Sequence, residues 1–291
     1  KKAPHGKPIG RIKMIEEKIV TYFVLIDDLL KNIGIHDEPQ TTVSSSEIMT
    51  MAIIAHTEFS GNYSKALEWI KAFCSHLFPK VPDKSTFSRR LEKLLPHMQS
   101  IIFNLAMMSE GRDKYYLIDC MPVKVCENAR IWTCKTLRGE VYRGYTPSKR
   151  EYFYGFKLNT LMGSDGLIRE VCLLEGSRHD IEGLSEMSFY GVGDREVIGD
   201  KAYRNYQMED VLWEEGIRLS PLRTKKERRY EGEWVEYVKR VYRRFAESVF
   251  SVLRRFLGLR PYSVSLSGLF VKIYMAVISY NLHRLWSAGM L

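Results

Sequence analysis

Hydrophobic positions in this chain recur with two different periods, and the change from one to the other falls near Gly111. Before that point the period is helical. The run MIEEKIVTYFVLIDDLLKNIG predicts an amphipathic helix from Met14 to Ile33, stopped by Gly34. Ser44, with Glu47 one turn on, is a capping box that opens IMTMAIIAHTEF as a second helix. Gly61 and Asn62 break it, and SKALEWIKAFCSHLF predicts a third helix ending before Pro79 and Pro82. In DKSTFSRRLEKLL, Asp83 is the expected N-cap. Phe87, Leu91, Leu94 and Leu95 share one side of that helix, and Lys84, Arg89, Arg90 and Lys93 lie largely on the other. Short, basic and preceded by a tight turn, it has the form of the second helix of a helix-turn-helix, which makes Arg89, Arg90 and Lys93 candidate DNA contacts. An ordinary surface helix has the same composition. MQSIIFNLAMM closes this helical region near Ser109.

After Gly111 the pattern favours strands. YYLIDCMPV is rich in strand formers and is expected to end at Pro122. Strands over Tyr152 to Met162 and Leu167 to Gly176 flank Gly-Ser-Asp-Gly, a hairpin-type turn. Asp180 is the expected N-cap of a short helix, IEGLSEM. REVIGDKAY then predicts a fourth strand, NYQMEDVLWEEG a helix, and IRLSPL a fifth strand. A charged connector leads into KRVYRRFAESVFSVLRRF, and LFVKIYMAVISYNLHRLW, apolar nearly all round, predicts a buried helix against the sheet. The order is βββαβαβα, a mixed five-stranded α/β sheet with flanking helices, preceded by an all-helical region. The expected divisions are a basic tail over 1–13, a helical and DNA-binding region over 14–110, and an α/β region over 111–291, with Met14 as the expected true start.

The helix over Lys239 to Phe256 has two unlike faces. At about 100° per residue, Arg240, Arg243, Glu247 and Arg254 fall within a sector of about 60°, and Val241, Phe245, Val249, Val252 and Phe256 fall on the opposite side. One carboxylate in a row of guanidiniums suits a site that handles both a cation and phosphates; i,i+4 pairing on a solvated face accounts for the same pattern.

Composition narrows the partners. The chain has a formal net charge of +9 and a pI near 9.2, which favours an anionic partner, nucleic acid above all. Its 5 cysteines are odd in number and contain no CxxC pair, so neither a disulfide framework nor a zinc site is indicated, and a reducing cytoplasm fits. No apolar run approaches the ~20 residues of a membrane span, and the first residues lack the apolar stretch of a signal peptide.

Two aspartates sit where a charge needs a reason. Asp119 lies within YLIDCM and Asp200 at the end of the strand in VIGDKA. A buried, unpaired carboxylate costs several kcal/mol, and strand ends facing a crevice are where open α/β sheets place ligands. With Glu247 they form a set of three carboxylates able to hold two Mg²⁺ ions for phosphoryl transfer, with Mn²⁺ as a substitute. His179 has no second histidine at ligand spacing.

From Tyr115 to Trp286 the sequence resembles the DDE transposases of bacterial insertion sequences, whose catalytic domain has the ribonuclease-H-like fold shared with retroviral integrases. The matching positions are Asp119 in LIDCMPV, Asp200 in VIGDKAY and Glu247 in RRFAESVFSVLRRF. A subgroup of that family carries Tyr, Arg, Glu and Lys around this glutamate. This chain keeps the Arg as Arg243 and has Arg240 and Arg254 in place of the Tyr and the Lys. The resemblance implies metal-dependent cleavage and strand transfer, with the element's terminal inverted repeats and target DNA as partners and a homo-oligomer assembled on DNA. Arg240, Arg243, Arg254, Lys157 and Lys201 are candidate phosphate contacts, and Tyr203, beside Asp200, is a further candidate for the DNA backbone. A ribonuclease-H-like nuclease without strand transfer and an inactive DNA-binding relative are the alternatives.

Overall fold

The computed structural model describes residues 8–109, 113–147 and 150–291. The boundary expected between residues 110 and 111, and the first seven residues of the expected tail, lie outside them. The rest of that tail is helical. Helix α1 spans Pro8–Asn32, beginning ahead of Met14, because proline is admissible in a first turn, where its missing N–H has no partner to lose. Four further helices follow, α2 (Ser45–Phe59), α3 (Tyr63–Phe73), α4 (Lys84–Lys93) and α5 (Met98–Met107). The capping box is formed: Ser44 accepts from the Glu47 N–H, and Glu47 accepts from the Ser44 N–H. Asp83 caps α4 through the N–H groups of Ser85 and Thr86.

The sheet contains the five expected strands and one more. These are β1 (Tyr116–Cys126), β2 (Arg143–Thr146), β3 (Glu151–Gly163), β4 (Ile168–Glu175), β5 (Glu196–Gly199) and β6 (Arg218–Pro221). β1, β3 and β4 pair antiparallel, whereas β5 joins β1, and β6 joins β5, in parallel. This mixed order is the expected ribonuclease-H-like one. The added strand β2 pairs with the first residues of β3, end to end with β4 on the same edge. Strand β1 also runs past Pro122, which pairs with Lys157. Its pairing with β5 ends at Ile118, so β1 is an edge from Asp119 onward and a residue without an N–H is tolerated there.

Between and after the strands lie α6 (Glu182–Ser185), α7 (Tyr206–Glu214), α8 (Glu233–Leu257) and α9 (Leu266–Ser287). Asp180 does not cap α6; Ile181 holds that position without a side-chain bond. One continuous core joins α1 to α5 with α8, α9 and one face of the sheet. Asn281 on α9 fastens three elements at once: its amide donates to the carbonyls of Ile102 and Ile168, and its oxygen accepts from the Ile168 N–H.

Two buried polar groups tie the helical region to the rest. Arg169 on β4 reaches α5, its guanidinium 3.4 Å from Met107 Sδ and its carbonyl accepting from the Gln99 amide at 3.3 Å. It also forms an ion pair with Asp113, both side chains at most 2% exposed, and lies 3.8 Å from Asp165. His56 on α2 lies 3.0 Å from the carbonyl of Phe256 on α8, so its Nδ1 carries the proton and Nε2 accepts from Tyr63 at 3.3 Å. Burial pulls the His56 pKa down to about 4. The unfolded chain therefore takes up this proton first as pH falls. Full stability is expected above the unfolded value near 6.5, with about 3 kcal/mol lost between there and about pH 4. Melting curves across that window should show the slope, and His56→Gln, which keeps a donor but does not titrate, should flatten it.

Candidate active site

The register of β1 against β5 brings the two aspartates together. Ile118 is opposite Gly199 in the last parallel pair, so Asp119 and Asp200 are the next residues on adjacent strands, where the strands part. Gly199 keeps this approach close; a Cβ there would stand 3.1 Å from the Ile118 side chain and 3.2 Å from Tyr203. Asp200 then caps a one-turn helix over Lys201–Tyr203, accepting from the Lys201 N–H at 2.6 Å.

Helix α8 crosses above this point and lowers Arg243 between the carboxylates. Its guanidinium lies 3.2 Å from Asp119 Oδ2 and 3.1 Å from Asp200 Oδ1. One rigid cation therefore neutralises two carboxylates that would otherwise repel each other. Asp119 also accepts from the Cys120 N–H at 2.9 Å. Burial nevertheless holds the Asp119 carboxyl above the usual carboxylate range, against the pull of Arg243.

The apolar face of α8 packs as expected through Val249 and Phe256, with Phe245 and Val252 partly buried against the core, and departs at Val241. Val241 is 39% exposed, and the buried stripe runs through Ala246, Val249, Phe250, Leu253, Phe256 and Leu257. Glu236 and Lys239 are buried too, because they belong to an ionic network at the start of the helix: Glu236 accepts from the Arg223 N–H at 2.8 Å, and Lys239 pairs with Glu231 at 2.5 Å. Burying that end turns Arg243 toward the sheet and leaves Arg240, Glu247 and Arg254 exposed. Glu247 makes no ion pair or hydrogen bond among the described residues. It shares a face with Arg243 one turn away without closing on the aspartates, and no three Asp, Glu, His or Cys side chains among the described residues form a cluster able to hold a metal.

The remaining expected positions divide into exposed and committed groups. Lys201, Arg89 and Lys93 are exposed, Arg89 bonding among the described residues only to Thr86 of its own helix. Arg90 is instead internal, bonded to the Val43 carbonyl and, at 3.1 Å, to Asp37, and so braces α4 against the loop before α2. Lys157 falls on the sheet face opposite Asp119, because residue 160 is the partner of Asp119 and side chains alternate. There it pairs with Asp180 at 2.9 Å and donates to the Arg178 carbonyl at 2.7 Å. Tyr203 is buried, and its hydroxyl donates to Asn159 at 2.8 Å. Lys157, Arg90 and Tyr203 are thus structural in the free chain rather than open to phosphate. Burial pushes the thiol of Cys120, beside Asp119, well up, and Asp180 adds to the effect. The bridging role of Arg243 was not visible in sequence, where its charge only marked it as a phosphate ligand.

The donor set suits a hard divalent cation. Two carboxylates already converge on one positive group, the oxygen chemistry that such an ion takes. Among solved structures, a cryo-EM structure of the piggyBac transposase synaptic complex with hairpin DNA is similar over 94% of this chain and 73% of that one, at 11% identity and a TM-score of 0.44. No curated protein matches the chain. A family described as the transposase DDE domain matches residues 110–259, which takes in β1, β5 and α8 with Asp119, Asp200 and Glu247. More than half of the chain is covered by that match, and the chain belongs to the transposase DDE domain family.

Proposed function

We propose that this chain cleaves the ends of a mobile DNA element and joins them to target DNA. The observation that carries the reading is the Asp119–Arg243–Asp200 bridge at the parting ends of β1 and β5. Asp119 and Asp200, with Glu247 from α8, would hold two Mg²⁺ ions. When bound, these supply the charge that activates an attacking oxygen and stabilises the leaving one. Arg243 neutralises the two aspartates and would offer the substrate's phosphate a planar donor pair. Arg240, Arg254 and Lys201, all exposed, would position the DNA backbone rather than read bases. Arg89 and Lys93 on α4 are candidate contacts to the element's terminal repeats, and assembly on DNA as a homo-oligomer fits two ends being joined together.

Strand-transfer assays on terminal-repeat DNA test the reading. Joined product in Mg²⁺ supports it; cleavage alone indicates a nuclease, and binding alone an inactive relative. Hard-oxygen ligands predict the pattern of metals. Mn²⁺ should replace Mg²⁺, whereas Ca²⁺, which takes 6–8 ligands in a looser geometry, should permit binding without cleavage. Turnover supported by Zn²⁺ and indifferent to Asp119→Asn would contradict the ligand set.

A second result bears on Arg243 itself. Because its guanidinium occupies the space between the carboxylates, Arg243→Gln is expected to tighten Mn²⁺ binding by the protein alone, read by electron paramagnetic resonance, while slowing cleavage. Unchanged Mn²⁺ affinity would mean that the guanidinium does not compete with the ion.

A further inference from the structure

A groove of about 1060 Å³ opens on the helical side of the molecule, where the turn between α2 and α3, the start of α4 and the connector from α8 to α9 meet. Its walls are close-built. A Cβ on Gly258 would stand 2.8 Å from the Ser60 carbonyl, and one on Gly268 would stand 2.6 Å from Ser263 and 2.9 Å from Glu92. Lys65, Lys84 and Lys272 line it, and none of the three has a carboxylate partner among the described residues. Lys272 is set over the Tyr63 ring at 5.0 Å. Two acids share the lining, Glu68 and Glu92, but Glu92 is held by the hydroxyls of Ser265 and Ser267 at 3.1 and 2.9 Å. Burial and the nearby Lys84 pull the Lys272 pKa down to about 8. An entering anion would relieve that cost, which no internal acid does.

The groove also lies in line with the candidate active site. Helix α8 runs from Arg243 to Leu257, and the connector at Gly258 forms the groove wall. At 1.5 Å per residue the interval is roughly 22 Å, which at 3.4 Å per step is about six to seven base pairs. Arg254 is exposed along the way, on the same face as Arg243. At the groove mouth Tyr262 is 73% exposed and Leu259 97% exposed. Unpartnered cations beside an exposed aromatic ring are the means by which proteins hold a nucleic-acid strand.

We propose that this groove binds the phosphate backbone of DNA flanking the cleaved phosphodiester, as a second nucleic-acid site built from Lys65, Lys84 and Lys272 with Tyr262 at its mouth. The proposal rests on the transposase reading and adds a site that the carboxylates do not define. Its ligand is the continuous DNA strand, not a free nucleotide, because the lysines belong to three separate elements, α3, α4 and α9, around a groove at the far end of α8 from Arg243.

Fluorescence-anisotropy titrations of the full chain with labelled terminal-repeat duplex, over a series of salt concentrations, test it. Lys84→Ala and Lys272→Met should each reduce the slope of log affinity against log salt by about 1. The pair together should weaken binding by about tenfold at low salt. Hydroxyl-radical footprints should lose protection at the end distant from the cleavage point, with the near end unchanged. Lys65→Ala and Lys84→Ala, both exposed, carry the test should Lys272→Met fail to fold. If the groove variants keep the wild-type slope and footprint while Arg240→Ala lowers both, the groove is not a DNA site and the transposase reading stands. If wild-type protein binds no DNA at any salt concentration, both are overturned.

Discussion

Asp119→Asn is expected to lower DNA cleavage by at least about 10²–10³-fold, the scale of losing one pre-placed charge at a reacting phosphate, while DNA binding survives. The amide is isosteric, so the strand and its backbone bonds persist. What disappears is one of the two charges that face a common cation at the end of β1. Stability should change little, because burial already disfavours the ionised form of this carboxyl. Asp200→Asn should behave alike, and Glu247→Gln should match them only if α8 brings Glu247 onto the same ions. Quantifying nicked and joined products beside a filter-binding control separates lost chemistry from lost binding. Strand transfer at the wild-type rate by the Asp119 variant would remove that residue from the site.

Arg169→Met is expected to produce the largest loss of stability. The guanidinium is buried with Asp113 and stands near Asp165, so its removal leaves buried acids without a counter-charge. Breaking such a pair from one side costs about 3–5 kcal/mol, a melting-point drop of roughly 10 °C for a chain of this size. Combining it with Asp113→Asn should recover a large part of the loss, since the uncompensated charge is then gone. A single variant that melts within about 2 °C of wild type would show that solvent reaches the cluster and screens it.

Much of the secondary structure is legible because its signals are local. Ser44 with Glu47, and Asp83 with the Ser85 and Thr86 N–H groups, set helix starts from within a few residues. The four-residue β2 carries too short a pattern to be distinguished from a loop, and it exists only through its pairing with β3. Pro122 was misleading for the opposite reason, as a strand breaker placed where the strand has a free edge. On α8, hydrophobicity alone located Val249 and Phe256 but missed the buried charged start of the helix, because Glu236 and Lys239 are buried by partners that lie outside the helix. The candidate site shows the same limit. Three carboxylates stand out from their settings, yet the contact between Arg243 and Asp119 spans 124 residues and depends on the sheet register and the turn of α8 together. Lys157 looked available because its charge was visible and Asp180, its partner, lay beyond a strand and a turn.

The three-way fastening by Asn281 has a bearing on how such a protein can diversify. Its amide links α5 of the helical region to α9 and β4 of the α/β region, inside a core to which both regions contribute. A recognition module that folds by itself can be exchanged between relatives by recombination at a linker. That route is closed where the two parts share an interior, since a foreign helical region would leave Asn281 and its neighbours without matching partners. Change in such a chain would have to come by point substitution on exposed surfaces, one contact at a time, with the fused interior inherited whole.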